Sequence, residues 1–166
     1  MTNLVQPEPW LRGTHRDVPP VMRAVLHALE LAKEDLQRWC GDLNDAALHA
    51  RPKGIAPVAF HFKHIARSMD RLLTYAEGGS LSEKQMAELK SEMDGSGTNA
   101  SIFAEVEAAF MRAAERVRCF RSESLAETRA VGRSGLPTTV AGLLVHVADH
   151  TQRHVGQAIT TAKIVR

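Results

Sequence analysis

The stretch His146-Val147-Ala148-Asp149-His150-Thr151-Gln152-Arg153-His154 carries three histidines at intervals of four. On an α-helix a step of four residues advances only about 40°, so such imidazoles lie along one side, one turn above another. With Leu143 as origin, about 100° per residue puts His150 at about −20°, His154 at about +20° and His146 at about −60°. The apolar arc of Val140, Val147, Thr151 and Ala158 centres further round on the positive side. His150 and His154 therefore sit at the margin of the buried face, and His146 leans toward solvent. Two margin histidines one turn apart make half of a metal site at the mouth of a helical bundle.

Working outward, this stretch belongs to a final helix, capped by Thr138 or Thr139 and running to about Lys163. Gly132 to Pro137 breaks the chain before it. A third helix, about Ser101 to Arg121, shows Ile102, Val106, Ala109, Phe110, Ala113, Val117 and Phe120 at helical spacing. Ser82-Glu83-Lys84-Gln85 reads as a capping box that opens a short extra helix to about Met93. The second long helix runs from about Val58 to Glu77, until Gly78-Gly79 stops it. Before it, Arg51-Pro52-Lys53-Gly54 and Pro57 mark a loop. The first helix begins at Pro19-Pro20, with Asp17 as its cap, and ends near Cys40-Gly41. Its apolar stripe is Val21, Val25, Ala28, Leu29, Ala32, Leu36 and Trp39, which leaves Leu26 and Leu31 off the stripe and His27 opposite it. Residues 1–18 read as an extended arm, with Trp10 and Leu11 as anchors onto the body.

No strand-like alternation appears. Four amphipathic helices of similar length predict an all-α four-helix bundle, a single domain over residues 1–166 with one short helix between helices two and three. The 166 residues suit one domain whose apolar core needs no disulfide or metal to hold it.

Composition narrows the function classes. The formal net charge is only +2, and the densest arginine run, Arg112, Arg116, Arg118 and Arg121, is interrupted by Glu115, so a nucleic-acid partner is not expected. Cys40 and Cys119 stand far apart without ligand spacing, which argues against a thiolate metal site or a disulfide framework. Met1 to Pro9 lacks the basic and apolar regions of a signal peptide, and no apolar run reaches the length of a membrane span, so a cytoplasmic protein is expected. There is no nucleophile elbow, P-loop or dinucleotide fingerprint.

A third imidazole would complete a His₃ set with an open position, the arrangement of a catalytic zinc. The second helix offers His61 and His64 in His61-Phe62-Lys63-His64. Its wheel puts His61 slightly nearer the apolar arc, and spacing alone does not choose between them. His15 and His49 fall in irregular segments with no evident role.

The stretch from Pro57 to Ser68, together with the closing His146 to Gln157 and its Arg153-His154-Val155-Gly156-Gln157 end, resembles the DinB-like superfamily of DinB and YfiT-type proteins. The resemblance implies an up-down-down-up bundle, a homodimer, and a divalent metal ion, zinc or nickel. It implies His64, which precedes Ile65-Ala66, as the ligand from helix two, and His150 and His154 as the ligands from helix four. His146 falls where such proteins carry a histidine that is not a ligand. The activity implied is a thiol S-transferase, or a hydrolase from the same site, acting on a small-molecule thiol and an electrophile. A non-catalytic metal-binding dimeric scaffold is the alternative. His61, His146 and Asp149 are the nearby candidates for a general base.

Overall fold

A computed structural model describes residues 6–166; the first five residues of the arm and of the segment read for a signal peptide lie outside it. Four long helices dominate: α1 (Pro20–Cys40), α3 (Val58–Ala76), α5 (Asn99–Arg118) and α6 (Val140–Val165). Two shorter helices, α2 (Asp45–His49) and α4 (Glu83–Lys90), a hairpin of β1 (Thr128–Val131) and β2 (Leu136–Thr139), and three single 3₁₀ turns complete the described elements. Helices α1 and α3 each pack against both α5 and α6. One continuous core fills the space between them, with Met22, Leu36, Phe62, Ile65, Met69, Ile102, Leu144 and Val147 almost wholly buried.

Local chemistry sets the helix ends. Thr139 caps α6 by accepting from the Gly142 amide. Ser82 with Gln85, and Thr98 with Ser101, form reciprocal capping boxes at α4 and α5. At the end of α3, Gly78 takes a φ of 84°, the left-handed value that reverses a chain after a helix. Two starts differ from expectation. Asp17 does not cap α1, whose N-cap is Pro19 with no side-chain bond. Pro20 supplies the preset φ and lacks the amide that a cap would satisfy. Helix α5 begins two residues before Ser101, because Thr98 caps it.

The structure corrects several other expectations. The hairpin β1–β2 was not legible as strand, since each arm has four residues and no alternating apolar face. Its antiparallel register, Thr128 opposite Thr139 through Val131 opposite Leu136, is set by the turn between them, where Gly132 and Gly135 have φ of 71° and 60°. The Arg129 guanidinium donates to the Ala76 carbonyl at 2.8 Å and ties this hairpin to the end of α3. Helix α2, capped by Asn44, lies in a segment read as loop. Trp10 and Leu11 are 61% and 57% exposed and anchor nothing. The arm is held instead by Pro9, which is buried, and by a two-pronged bond from Arg12 to Glu34 at 2.6 and 2.7 Å. Leu26 is buried and not off the stripe, because α5 closes over that side of α1. His27 is buried too, at 8% exposure, beneath Thr14 and His15 of the arm. Among the described residues no helix is long and apolar enough to cross a membrane.

Candidate metal centre

Helices α3 and α6 share a long packed seam. At its margin His64 from α3 meets His150 and His154 from α6. Each is half-buried, and one nitrogen from each lies within 4.8 Å of the other two. The ring centroids are 4.3 Å apart for His64–His154, 5.0 Å for His64–His150 and 4.7 Å for His150–His154. His64 Nε2 and His150 Nε2 stand 3.3 Å apart. Two ligands of one tetrahedral zinc ion, each at its usual bond length, stand about 3.3 Å apart as well.

His61 does not join this trio. It is the more buried of the two α3 histidines, at 4% exposure, as its wheel position implied. Depth is what keeps it from the margin: its ring packs behind His154, with the two Nδ1 atoms 3.0 Å apart. Phe60 stacks on His64 at 5.3 Å and meets His154 edge-on, so an aromatic wall backs the site. His146 continues the α6 row, 5.2 Å from His150 between centroids, but its Nδ1 pairs with Asp149 at 2.8 Å on the open side.

Glu92, which the sequence did not single out, orients His64. His64 Nδ1 donates to Glu92 Oε2 at 2.6 Å, and Arg71 donates to Glu92 Oε1 at 2.8 Å. Glu92 is 4% exposed, in the segment between α4 and α5. Burial opposes its ionisation, but the hydrogen bonds from His64 and Arg71 and the Arg71 charge outweigh burial and hold its carboxyl below the usual range. Helix α3 also grips this segment through Lys63, which donates to Asp94 at 2.6 Å and to Ser96 at 3.1 Å. Arg67 adds bonds to the Glu88 carbonyl and the Ser91 hydroxyl. No local signal marks Glu92, because its role arises only when this segment folds back across α3.

Burial and the neighbouring groups disfavour protonation of His61, His150 and His154. Burial first, and then the neighbouring imidazoles His154 and His64, push His150 down to about 4. Burial and the charges of His64 and Arg153 do the same to His154, also to about 4. His61 falls to about 4 by burial, His154 and His64. At neutral pH these rings carry lone pairs.

The donor set fits a divalent cation. A carboxylate can only accept, so Glu92 fixes the proton of a neutral His64 on Nδ1 and leaves Nε2 as a lone pair. That lone pair faces His150 Nε2, while His150 Nδ1 is buried without any hydrogen-bond partner. Without an ion His150 Nε2 donates to that lone pair; a cation between the two nitrogens would take the place of the shared proton, which His150 Nδ1 would then carry. His64 held by a carboxylate is the arrangement that commonly supports a metal-bound histidine. The cysteines take no part: Cys40 is buried, its thiol pushed up to about 12 by burial, and Cys119 is exposed and bonds to the Glu115 carbonyl.

No curated protein matches this chain in sequence. The sequence profile of the DinB superfamily matches residues 28–158, a span that begins within α1, ends within α6 and includes His64, His150 and His154. With that match covering most of its length, the chain belongs to the DinB superfamily.

Proposed function

We propose that this protein is a metal-dependent enzyme, most directly a thiol S-transferase, with hydrolysis of an electrophile as the close variant. One observation carries the reading: three half-buried imidazoles from two facing helices each place a nitrogen within 4.8 Å of the other two. His64, His150 and His154 are the ligands, and zinc or nickel is the ion. Bound there, the ion supplies a double positive charge that lowers the pKa of a thiol or water it holds. Three neutral ligands leave that charge undiminished.

The chain's own residues do the rest. Glu92 and Arg71 fix the tautomer and direction of His64. His154 shares its Nδ1 side with His61, which fixes that ring in turn. Phe60 covers one side of the cluster. His146 accepts the proton that the thiol or water releases, since Asp149 holds Nδ1 and leaves Nε2 available. The substrates are a small-molecule thiol and an electrophile such as an epoxide or halide. The protein works in the cytoplasm as a homodimer, each subunit one domain folded as an up-down-down-up four-helix bundle.

The test has two arms. Elemental analysis of dialysed protein should find metal in wild type, His61→Ala and His146→Ala, and little in His64→Ala, His150→Ala or His154→Ala. Full metal in His150→Ala or His154→Ala would remove the basis of the reading. A screen of thiols against model electrophiles should then show turnover that disappears with the metal. Metal bound without any turnover would leave a metal-binding scaffold as the better description.

A further inference from the structure

A second cluster lies where the N-terminal arm meets α1 and shares no residue with the first. His27 and Glu30 stand three residues apart on α1, so they share a face, and i,i+3 is a spacing at which helices present paired metal ligands. The arm folds back over them. Gly13 with φ of 67° and His15 with φ of 55° turn the chain, the latter a left-handed conformation uncommon for a residue with a side chain. The turn brings the His15 ring to 5.4 Å from that of His27. One nitrogen or oxygen from each of His15, His27 and Glu30 then lies within 4.8 Å of the other two. We propose that His15, His27 and Glu30 form a second divalent-cation site, of the two-imidazole, one-carboxylate kind that zinc accepts, which clasps the arm to α1.

In the ion-free arrangement hydrogen bonds hold the cluster. His15 Nε2 donates to Glu30 Oε1 at 2.6 Å, and His27 Nε2 meets the Thr14 hydroxyl at 3.0 Å. Arg118 on α5 donates to His15 Nδ1 at 2.6 Å. A guanidinium only donates, so it keeps the His15 proton on Nε2, the atom nearest Glu30. For Nε2 to ligate, that proton must leave Nε2, Nδ1 must become the protonated atom, and Arg118 must release it. Arg118 has an alternative partner in Asp17, already 3.9 Å away, and its side chain is 40% exposed and able to turn. The 2.6 Å contact of His15 with Glu30 must also open to the roughly 3.3 Å that separates two ligands of a tetrahedral zinc. A cavity of about 200 Å³, walled by Leu26, Leu29, Phe110 and Met111, adjoins His15 and Glu30 and gives them room to do so. Arg118 is therefore a built-in competitor, and this site is the weaker of the two.

Equilibrium dialysis of the metal-stripped full chain against zinc tests the proposal. Wild type should take up two ions, the second more weakly. His15→Gln and His27→Asn should each lose the weaker ion and keep the tighter one, while His150→Gln should lose the tighter one and keep the weaker. Since His27 is buried and its variant risks misfolding, Arg118→Gln provides a separate arm. It should tighten the weaker site about tenfold, the scale on which a ring's outer hydrogen-bond partner tunes its hold on an ion. No zinc in wild type that His15→Gln removes, or an Arg118→Gln variant that binds no better at that site, would each overturn the proposal. Failure of the His64 site alone would show as loss of the tighter ion only, and so stays distinguishable.

Discussion

Replacing Glu92 by glutamine tests whether the carboxylate between α4 and α5 serves the metal centre. Glutamine keeps the shape but offers one acceptor and one donor where Glu92 offers two acceptors. Either His64 Nδ1 or Arg71 Nη1, now 2.6 and 2.8 Å from carboxylate oxygens, must then face a donor. Loss of an outer partner of a ligating histidine costs about 10–100-fold in metal affinity. At about 1.4 kcal/mol per tenfold, that is roughly 1.4–2.8 kcal/mol. The same change removes the anionic partner of Arg71 in a pair whose side chains are 4% and 10% exposed. Breaking a buried pair costs about 3–5 kcal/mol, and the residual access of Arg71 to water places this case at the lower end. Against a total stability of about 5–15 kcal/mol, the fold survives while the metal is weakened. Competition between the protein and a chromophoric chelator measures the affinity. Urea unfolding of the metal-free chain measures the stability separately. Zinc affinity unchanged within experimental error in a folded Glu92→Gln variant would refute the assignment of Glu92 to His64.

Two further outcomes follow. His61, His150 and His154 have folded-state values near 4, below the ordinary 6.5, so the unfolded chain binds more protons between those limits. The stability of the metal-stripped protein is therefore fully present above about pH 6.5 and falls as pH drops from there toward 4. Urea midpoints at stepped pH check this, and midpoints unchanged across that window would contradict the burial of these rings. Sedimentation at micromolar concentration should report twice 18.2 kDa for the proposed homodimer. A mass of 18.2 kDa would remove the dimer.

Much of this protein was legible along the chain. Helical periodicity located the four long helices, because each buries one stripe and that stripe repeats at 3.6 residues whatever the partner. The i,i+4 spacing of His150 and His154 put two candidate ligands on one side of α6 for the same reason: a helix converts spacing directly into direction. The capping box at Ser82 and the cap at Thr139 were readable because capping is local chemistry.

Whatever depended on contact between distant segments was not legible. The wheel of α3 ranked His61 and His64 by depth and ranked them correctly, yet depth was not the deciding property. His64 lies where α3 and α6 part, and only the way these helices pack defines that edge. His27 read as a surface residue because the arm that buries it is twelve residues away and carries no periodic pattern. Glu92 reaches His64 across twenty-eight residues, held there by bonds from Lys63, Arg67 and Arg71 to the segment around it. By itself the sequence determined which residues could share a helix face, since backbone geometry is the same in every helix. Only the tertiary structure decided which faces meet, because meeting depends on how whole helices and the arm pack around one core.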